Sequence, residues 1–213
     1  MFTGIIQALG GIKGIEKKGE SGKITVSTEL DLEVVRIGDS IAVDGVCLTV
    51  IALGGNAFTA EMSQETMSRT TLGDLRPENR VNIEPPLTPA AQMGGHIVTG
   101  HVDGVGAITK KETREGFAEL EVAVPRELSR QIVSKGAIAV DGISLTVVKE
   151  WEGGFTSALI PHTLEQTTLA LKGSGSRVNI ETDIIAKYVE RFMVVYRGRG
   201  VTEEFLSEHG FKE

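Results

Sequence analysis

Short alternations of apolar and polar residues run through most of the chain, the period-two pattern of strands with one buried face. Runs rich in Val, Ile and Thr, bounded by Gly, Asn or charge, occupy residues 23–28, 40–51, 57–62 and 81–83. Similar runs return with the same spacing at 119–124, 137–148, 155–160 and 178–180, and each predicts a strand. Between strands, residues 126–134 carry Leu128, Ile132 and Val133 at helical spacing and predict one short helix, with 31–37 as its counterpart. The period changes near the end, where Ile185, Val189, Phe192 and Tyr196 follow one another at spacings of four, three and four, with Ile184, Tyr188 and Val195 beside them. That pattern predicts an amphipathic helix over 183–197, capped by Thr182 or Asp183 and stopped by Gly198. A threonine followed by two glutamates predicts a last short helix at 202–208.

The pattern is also said twice. IAVDGVCLTV at 41–50 returns as IAVDGISLTV at 138–147, an offset of 97 that also relates RVNIE at 80–84 to RVNIE at 177–181. The openings match at an offset of 96, where Thr3-Gly4 answers Thr99-Gly100. A nearly constant offset over most of the length means two complete copies of one domain rather than a short solenoid unit. About six short strands per copy, joined by turns too short for parallel crossovers, predict an all-β protein built of two antiparallel barrels or sandwiches. Closing each sheet into a barrel would also remove its exposed edges. Three prolines in five residues, Pro85, Pro86 and Pro89, mark the linker. The expected units are an N-terminal barrel at 1–96, a C-terminal barrel at 97–183 and a helix with its tail at 184–213.

Composition narrows the function. The net charge is −7 and aromatic residues are 5%, with no basic face to follow a phosphate backbone and little to stack bases on, so nucleic acid is not an expected partner. Cys47 is the single cysteine, which points to a reducing compartment. The opening residues have no basic leader, and no apolar run approaches the ~20 residues of a membrane span. A soluble cytoplasmic protein is expected.

Familiar catalytic devices are missing: there is no phosphate-binding glycine loop, nucleophile elbow or Cys-x-x-Cys pair. His96 and His101 are five apart, which on a strand sends their side chains to opposite faces, while His162 and His209 have no ligand-like spacing to other residues, so no bound metal is expected. The informative positions are those where the copies differ. Cys47 stands where the second copy has Ser144, Ser40 where it has Ala137, Glu65 where it has His162, Ile5 where it has His101, and Gly38 where it has Lys135. Two similar pockets with unequal polar groups would hold two like molecules in different protonation environments.

The opening MFTGI, the pair Gly94-Gly95-His96 and Thr99-Gly100-His101, and the doubled Val-Asp-Gly-x-x-Leu-Thr-Val resemble the riboflavin synthase family of lumazine-binding repeats. The likeness covers the whole chain, including the terminal helix. It implies two six-stranded Greek-key barrels followed by an α-helix. The implied activity is the last step of riboflavin biosynthesis, in which one 6,7-dimethyl-8-(1-D-ribityl)lumazine gives a four-carbon unit to a second. The products are riboflavin and 5-amino-6-(D-ribitylamino)uracil, with neither metal nor organic cofactor. The resemblance further implies a homotrimer in which the N-terminal barrel of one chain faces the C-terminal barrel of the next and the terminal helices hold the chains together. Association with lumazine synthase is left open.

Carried over residue by residue, the resemblance implies a first pocket of Gly4, Ile5, Ile6, Cys47, Leu48 and Thr49, closed by Glu61, Met62, Ser63, Gln64, Glu65 and Thr66. The second would use Gly100, His101, Val102, Lys135, Ser144, Leu145 and Thr146, closed by Leu159, Ile160, Pro161, His162, Thr163 and Leu164. Ser40, Cys47, His96, His101 and Asp183 match positions tied to catalysis, and Ser144 and Thr146 are added to them as catalytic candidates. The expected roles are proton handling by His101 with Thr146 or Ser144, support of the nucleophile by Cys47 or Ser40, and orientation of a neighbour by Asp183. The rival reading is a non-catalytic lumazine- or flavin-binding antenna; a purely structural pair of barrels would leave the doubled motifs without a purpose.

Overall fold

A computed structural model describes residues 1–19, 21–197 and 207–210. Strands β1 (Ala8–Lys18), β2 (Ser21–Thr28), β3 (Ser40–Val43), β4 (Val46–Gly54), β5 (Ala57–Ser63) and β6 (Arg80–Glu84) close a barrel in the order β1-β2-β5-β4-β3-β6. All pairings are antiparallel, and the β3–β4–β5 meander with β2 returning beside β5 is a Greek key. The second copy repeats it with β7 (Gly104–Arg114), β8 (Phe117–Ala123), β9 (Ala137–Val140), β10 (Ile143–Trp151), β11 (Gly154–Leu159) and β12 (Arg177–Thr182). Even the irregularities recur, since bulges at Ile12/Gly14 and Val50/Ala52 answer those at Ile108/Lys110 and Val147/Lys149. A bulge bends its strand locally, so matched bulges give both barrels the same curvature.

Alternation places the cores. On β2, Ile24 and Val26 point inward to meet Phe58 and Leu72; on β8, Leu120 and Val122 meet Phe155 and Leu169. The apolar run 40–51 proves to be two strands, not one. Asp44 (φ 44) and Gly45 (φ 76) turn the chain in the left-handed region, as Asp141 and Gly142 do in the second copy, the Asp-Gly signature of a two-residue hairpin. The long β1 carries little alternation because Gly10 lies where a Cβ would stand 2.6 Å from Val26. The expected helix at 126–134 shrinks to a single turn, α2 (Arg126–Ser129), and 31–37 contains only a 3-10 turn, Leu32–Val34. Lys135 at φ 67, in the left-handed region, turns the chain toward β9. Unforeseen short elements follow β5 and β11: α1 (Gln64–Arg69) with the 3-10 turn Thr71–Asp74, and α3 (Pro161–Gln166) with Thr168–Ala170.

The barrels meet across a pseudo-twofold seam. The Asp44-Gly45 turn lies against Asp141-Gly142 so closely that a Cβ on Gly45 would fall 2.5 Å from the Gly142 nitrogen. Two buried asparagines lock the contact. Asn82 Nδ2 donates to the Asp141 carbonyl at 2.9 Å and its Oδ1 accepts from Thr168 N at 2.8 Å. Asn179 reciprocates toward the Asp44 carbonyl and Thr71 N, both at 2.8 Å. The Thr-Leu pairs at 71 and 168 thus serve the seam.

Helix α4 (Ile184–Arg197) lies on the surface of the second barrel, tied by Lys187 to Asp103 at 2.7 Å and by Glu190 to Gln131 at 2.6 Å. Its apolar seam stays in solvent, with Ile185 and Phe192 each 60% exposed and Tyr188, Val189 and Met193 beside them. The turn expected at 202–208 lies outside the described residues over 202–206. Among the described residues no helix is long and apolar enough to cross a membrane.

Candidate active site

Each copy opens with a Thr-Gly pair held by a buried carboxylate. Thr3 donates to Glu84 Oε1 through both its amide and its hydroxyl at 2.7 Å, and Gly4 N donates to Oε2 at 3.0 Å. Glu181 receives Thr99 and Gly100 at the same distances. Burial pushes both carboxyls above their usual range, and the hydrogen bonds from threonine and glycine pull against it. The carbonyls of these glycines then leave their own barrels. Gly4 O accepts from Ser144 N on β10 at 2.8 Å, and Gly100 O accepts from Cys47 N on β4 at 2.9 Å. Phe2 and Val98 pair where the two segments pass. Glycine is required at both crossings: φ is +76° and +81°, and a Cβ would lie 2.7 Å from the Ser144 side chain and 2.5 Å from that of Cys47.

One pocket therefore forms on the first barrel from residues of both copies. A cavity of about 320 Å³ is lined by Cys47, Ser63, Glu65, Thr66, Gly100, His101 and Val102. Ser63 caps α1, its Oγ accepting from Thr66 N at 3.1 Å. On the second barrel, His96 Nδ1 lies 2.7 Å from Ser144 Oγ. His96 N donates to Thr3 O at 3.1 Å, and its buried Nε2 has no partner among the described residues. Burial lowers the pKa of this imidazole, with the Asp183 carboxylate opposing. At neutral pH the ring is uncharged and can take or give a proton.

A family model for the lumazine binding domain matches the chain twice, at residues 3–85 and 99–183. The chain belongs to the lumazine-binding domain family. It is 41% identical over 215 residues to a riboflavin synthase of Actinobacillus pleuropneumoniae, covering 99% of this chain and all of that one. Similarity of this kind over the full length places the chain among the enzymes of the lumazine-binding family. Among solved structures, LumP complexed with riboflavin aligns with a TM-score of 0.80 at 27% identity, over 85% of this chain and 99% of that one. LumP complexed with 6,7-dimethyl-8-(1'-D-ribityl)lumazine aligns over the same shares at 0.78.

In this lumazine-binding chain the grouping expected from sequence is exchanged. Gly4 and Ile6 go to the second barrel, where Ile6 packs beside Leu164, while Gly100, His101 and Val102 go to the first. The segments cross the seam before reaching a pocket, so proximity in sequence misassigns them. His101 consequently stands with Cys47, and it is His96 that meets Ser144. Leu48, Met62, Leu145 and Leu159 turn their side chains into the barrel cores, which leaves only their backbones for a ligand. Ile5, Thr49, Glu61, Gln64, Thr146, Ile160, Pro161 and His162 are exposed, and Thr163 is half-buried. Ser40 is half-buried at the start of β3, opposite Thr49. Lys135 is exposed, its amide bonded to the Val147 carbonyl at 2.9 Å. Asp183 caps α4 by accepting from Ile185 N at 2.9 Å. It also borders a cavity of about 810 Å³ between α4 and residues 130–137. Glu84 and Glu181 are not foreseen from sequence, although the doubled RVNIE motif ends on them.

Proposed function

We propose that the chain converts two molecules of 6,7-dimethyl-8-(1-D-ribityl)lumazine into riboflavin and 5-amino-6-(D-ribitylamino)uracil. The observation that carries this reading is a pair of pseudo-equivalent places, a cavity on the first barrel and the matching stretch of the second, furnished with unequal side chains. Cys47, Glu65 and His101 belong to one; Ser144 and His96 belong to the other, with His162 at the position of Glu65. A dismutation of like molecules needs that inequality, because one substrate loses a proton from its C7 methyl while the other accepts a nucleophile at C7. The neutral His96 beside the Ser144 hydroxyl is suited to the proton step, and Cys47 supplies a thiol to the other pocket. Four carbons then pass from one ring to the other, the donor leaving as the diaminouracil, so two lumazines account for every atom of the two products. Holding both rings at reacting distance supplies a large part of the acceleration, up to ~7–11 kcal/mol.

Contact between the two rings is furnished by a homotrimer, the N-terminal barrel of one chain facing the C-terminal barrel of its neighbour. The exposed apolar seam of α4 supports such self-association. In a cytoplasmic setting Cys47 stays a thiol.

Purified protein incubated with the ribityllumazine alone will yield riboflavin and the pyrimidine in equal amounts. Tight binding without turnover overturns the reading in favour of a ligand-carrying protein. The likeness to LumP in complex with lumazine and riboflavin makes that the second reading, though at 27% identity against 41% for the synthases.

A further inference from the structure

We propose that Glu181 is a positioning residue for the pocket of the first barrel and Glu84 for that of the second. Each carboxylate sits on the last strand of one barrel and sets the ligand-facing edge of the other. The inference rests on the two-pocket reading above and adds to it a wiring between the copies.

The wiring follows from the bonds. Glu181 is 3% exposed and accepts three hydrogen bonds from Thr99 and Gly100. The Thr99 hydroxyl, with its proton committed to the carboxylate, accepts from His101 N at 3.3 Å. Gly100 passes the constraint across the seam, because its carbonyl receives the Cys47 amide at 2.9 Å. Glu181 on β12 therefore fixes both His101 and the strand edge at Cys47, and each of these lines the first-barrel cavity. Glu84 is 4% exposed and does the same through Thr3 to Ile5 N at 3.2 Å and through Gly4 to Ser144 N at 2.8 Å. Ser144 is the residue that His96 touches.

A carboxylate is needed in this place. Its two oxygens accept every bond offered, whereas a glutamine would turn an NH2 toward the Gly100 or Gly4 amide, donor against donor. The glycine would then shift, and the shift would be felt on the opposite barrel. A merely structural carboxylate would weaken its own barrel or the whole chain alike; a positioning one gives a crossed effect.

Cys47 is the sole cysteine, half-buried on the first pocket, so its alkylation by iodoacetamide in the full chain reads occupancy there. Riboflavin is expected to protect it in the unaltered protein. Glu181→Gln should raise the riboflavin concentration for half-protection by at least about tenfold, the worth of a lost charge-assisted hydrogen bond. Glu84→Gln, the same change in the mirrored place, should move it by less than about twofold. Equal shifts in the two variants, or none in Glu181→Gln, would overturn the wiring while protection in the unaltered protein leaves the two-pocket reading standing. No protection in the unaltered protein removes both. If Glu181→Gln does not fold, Thr99→Val against Thr3→Val makes the same comparison and is read in the same way, and Thr99→Ser should restore protection.

Discussion

The imidazole of His96 meets the hydroxyl of Ser144 through Nδ1 at 2.7 Å. In the first copy the place of that serine is taken by Cys47, whose cavity contains His101 instead. Each pocket thus pairs a histidine with a different partner, and the pairing crosses what the linear order implies.

Because burial holds the His96 pKa below 6.5, turnover should stay level through neutral pH and fall on acidification below about 6.5 as the ring charges. His96→Gln and Ser144→Ala should each lower kcat by roughly 100-fold or more, the range of lost acid–base assistance. In His96→Gln the acid limb should disappear or move. A limb unchanged in that variant would assign it to another group.

Stability should carry a second pH signature, from the seam. Asp44 is buried beside Asp141, and burial chiefly pushes its pKa from 3.8 up to about 8. The folded state therefore holds a proton that the unfolded chain has released, so this group lowers stability progressively between about pH 4 and pH 8. Asp44→Asn keeps the Oδ1 that accepts from Asn82 N at 2.7 Å and removes the titration. Its Tm should exceed that of the unaltered protein, by a few degrees, and by more at pH 8 than at pH 5. Parallel melting curves at the two pH values would count against a buried, titrating Asp44.

Asn82→Ala leaves the Thr168 amide and the Asp141 carbonyl without their partner. A loss of roughly 2–4 kcal/mol is expected for such a pair of orphaned groups. Asn179→Ala should cost a similar amount for the mirrored bonds to Thr71 and Asp44. Urea unfolding of the single and double variants checks this. A double variant well short of the sum would mean that the first loss already opens the seam.

Truncation before Ile185 removes the exposed Ile185, Tyr188, Val189 and Phe192 but no strand. The shortened protein should keep both barrels by circular dichroism, sediment as a monomer and show little activity. A trimer surviving the cut would move the oligomer contact to the barrels.

Much of the fold was legible from the chain itself because it was written twice. The doubled Val-Asp-Gly-x-x-Leu-Thr-Val located two barrels, and the spacing of Ile185, Val189 and Phe192 located the last helix. The Asp-Gly turn was visible too, yet the unbroken apolar run on either side of it masked the hairpin at Asp44. The helix over 126–134 failed because Leu128 and Ile132 are apolar for the sake of the barrel core. The arrangement of the candidate site residues was not legible. Gly4 and Gly100 look alike, and only three dimensions tell that each serves the other's barrel.

The crossing of the Thr-Gly segments has a consequence for ancestry. Once each half had come to depend on a ribbon donated by its sister, neither could drift alone, since a change in one opening would be tested in the opposite cradle. Chimeras that join the front half of one relative to the back half of another should therefore fail most often at Gly4–Ser144 and Gly100–Cys47, the two places where inheritance is shared.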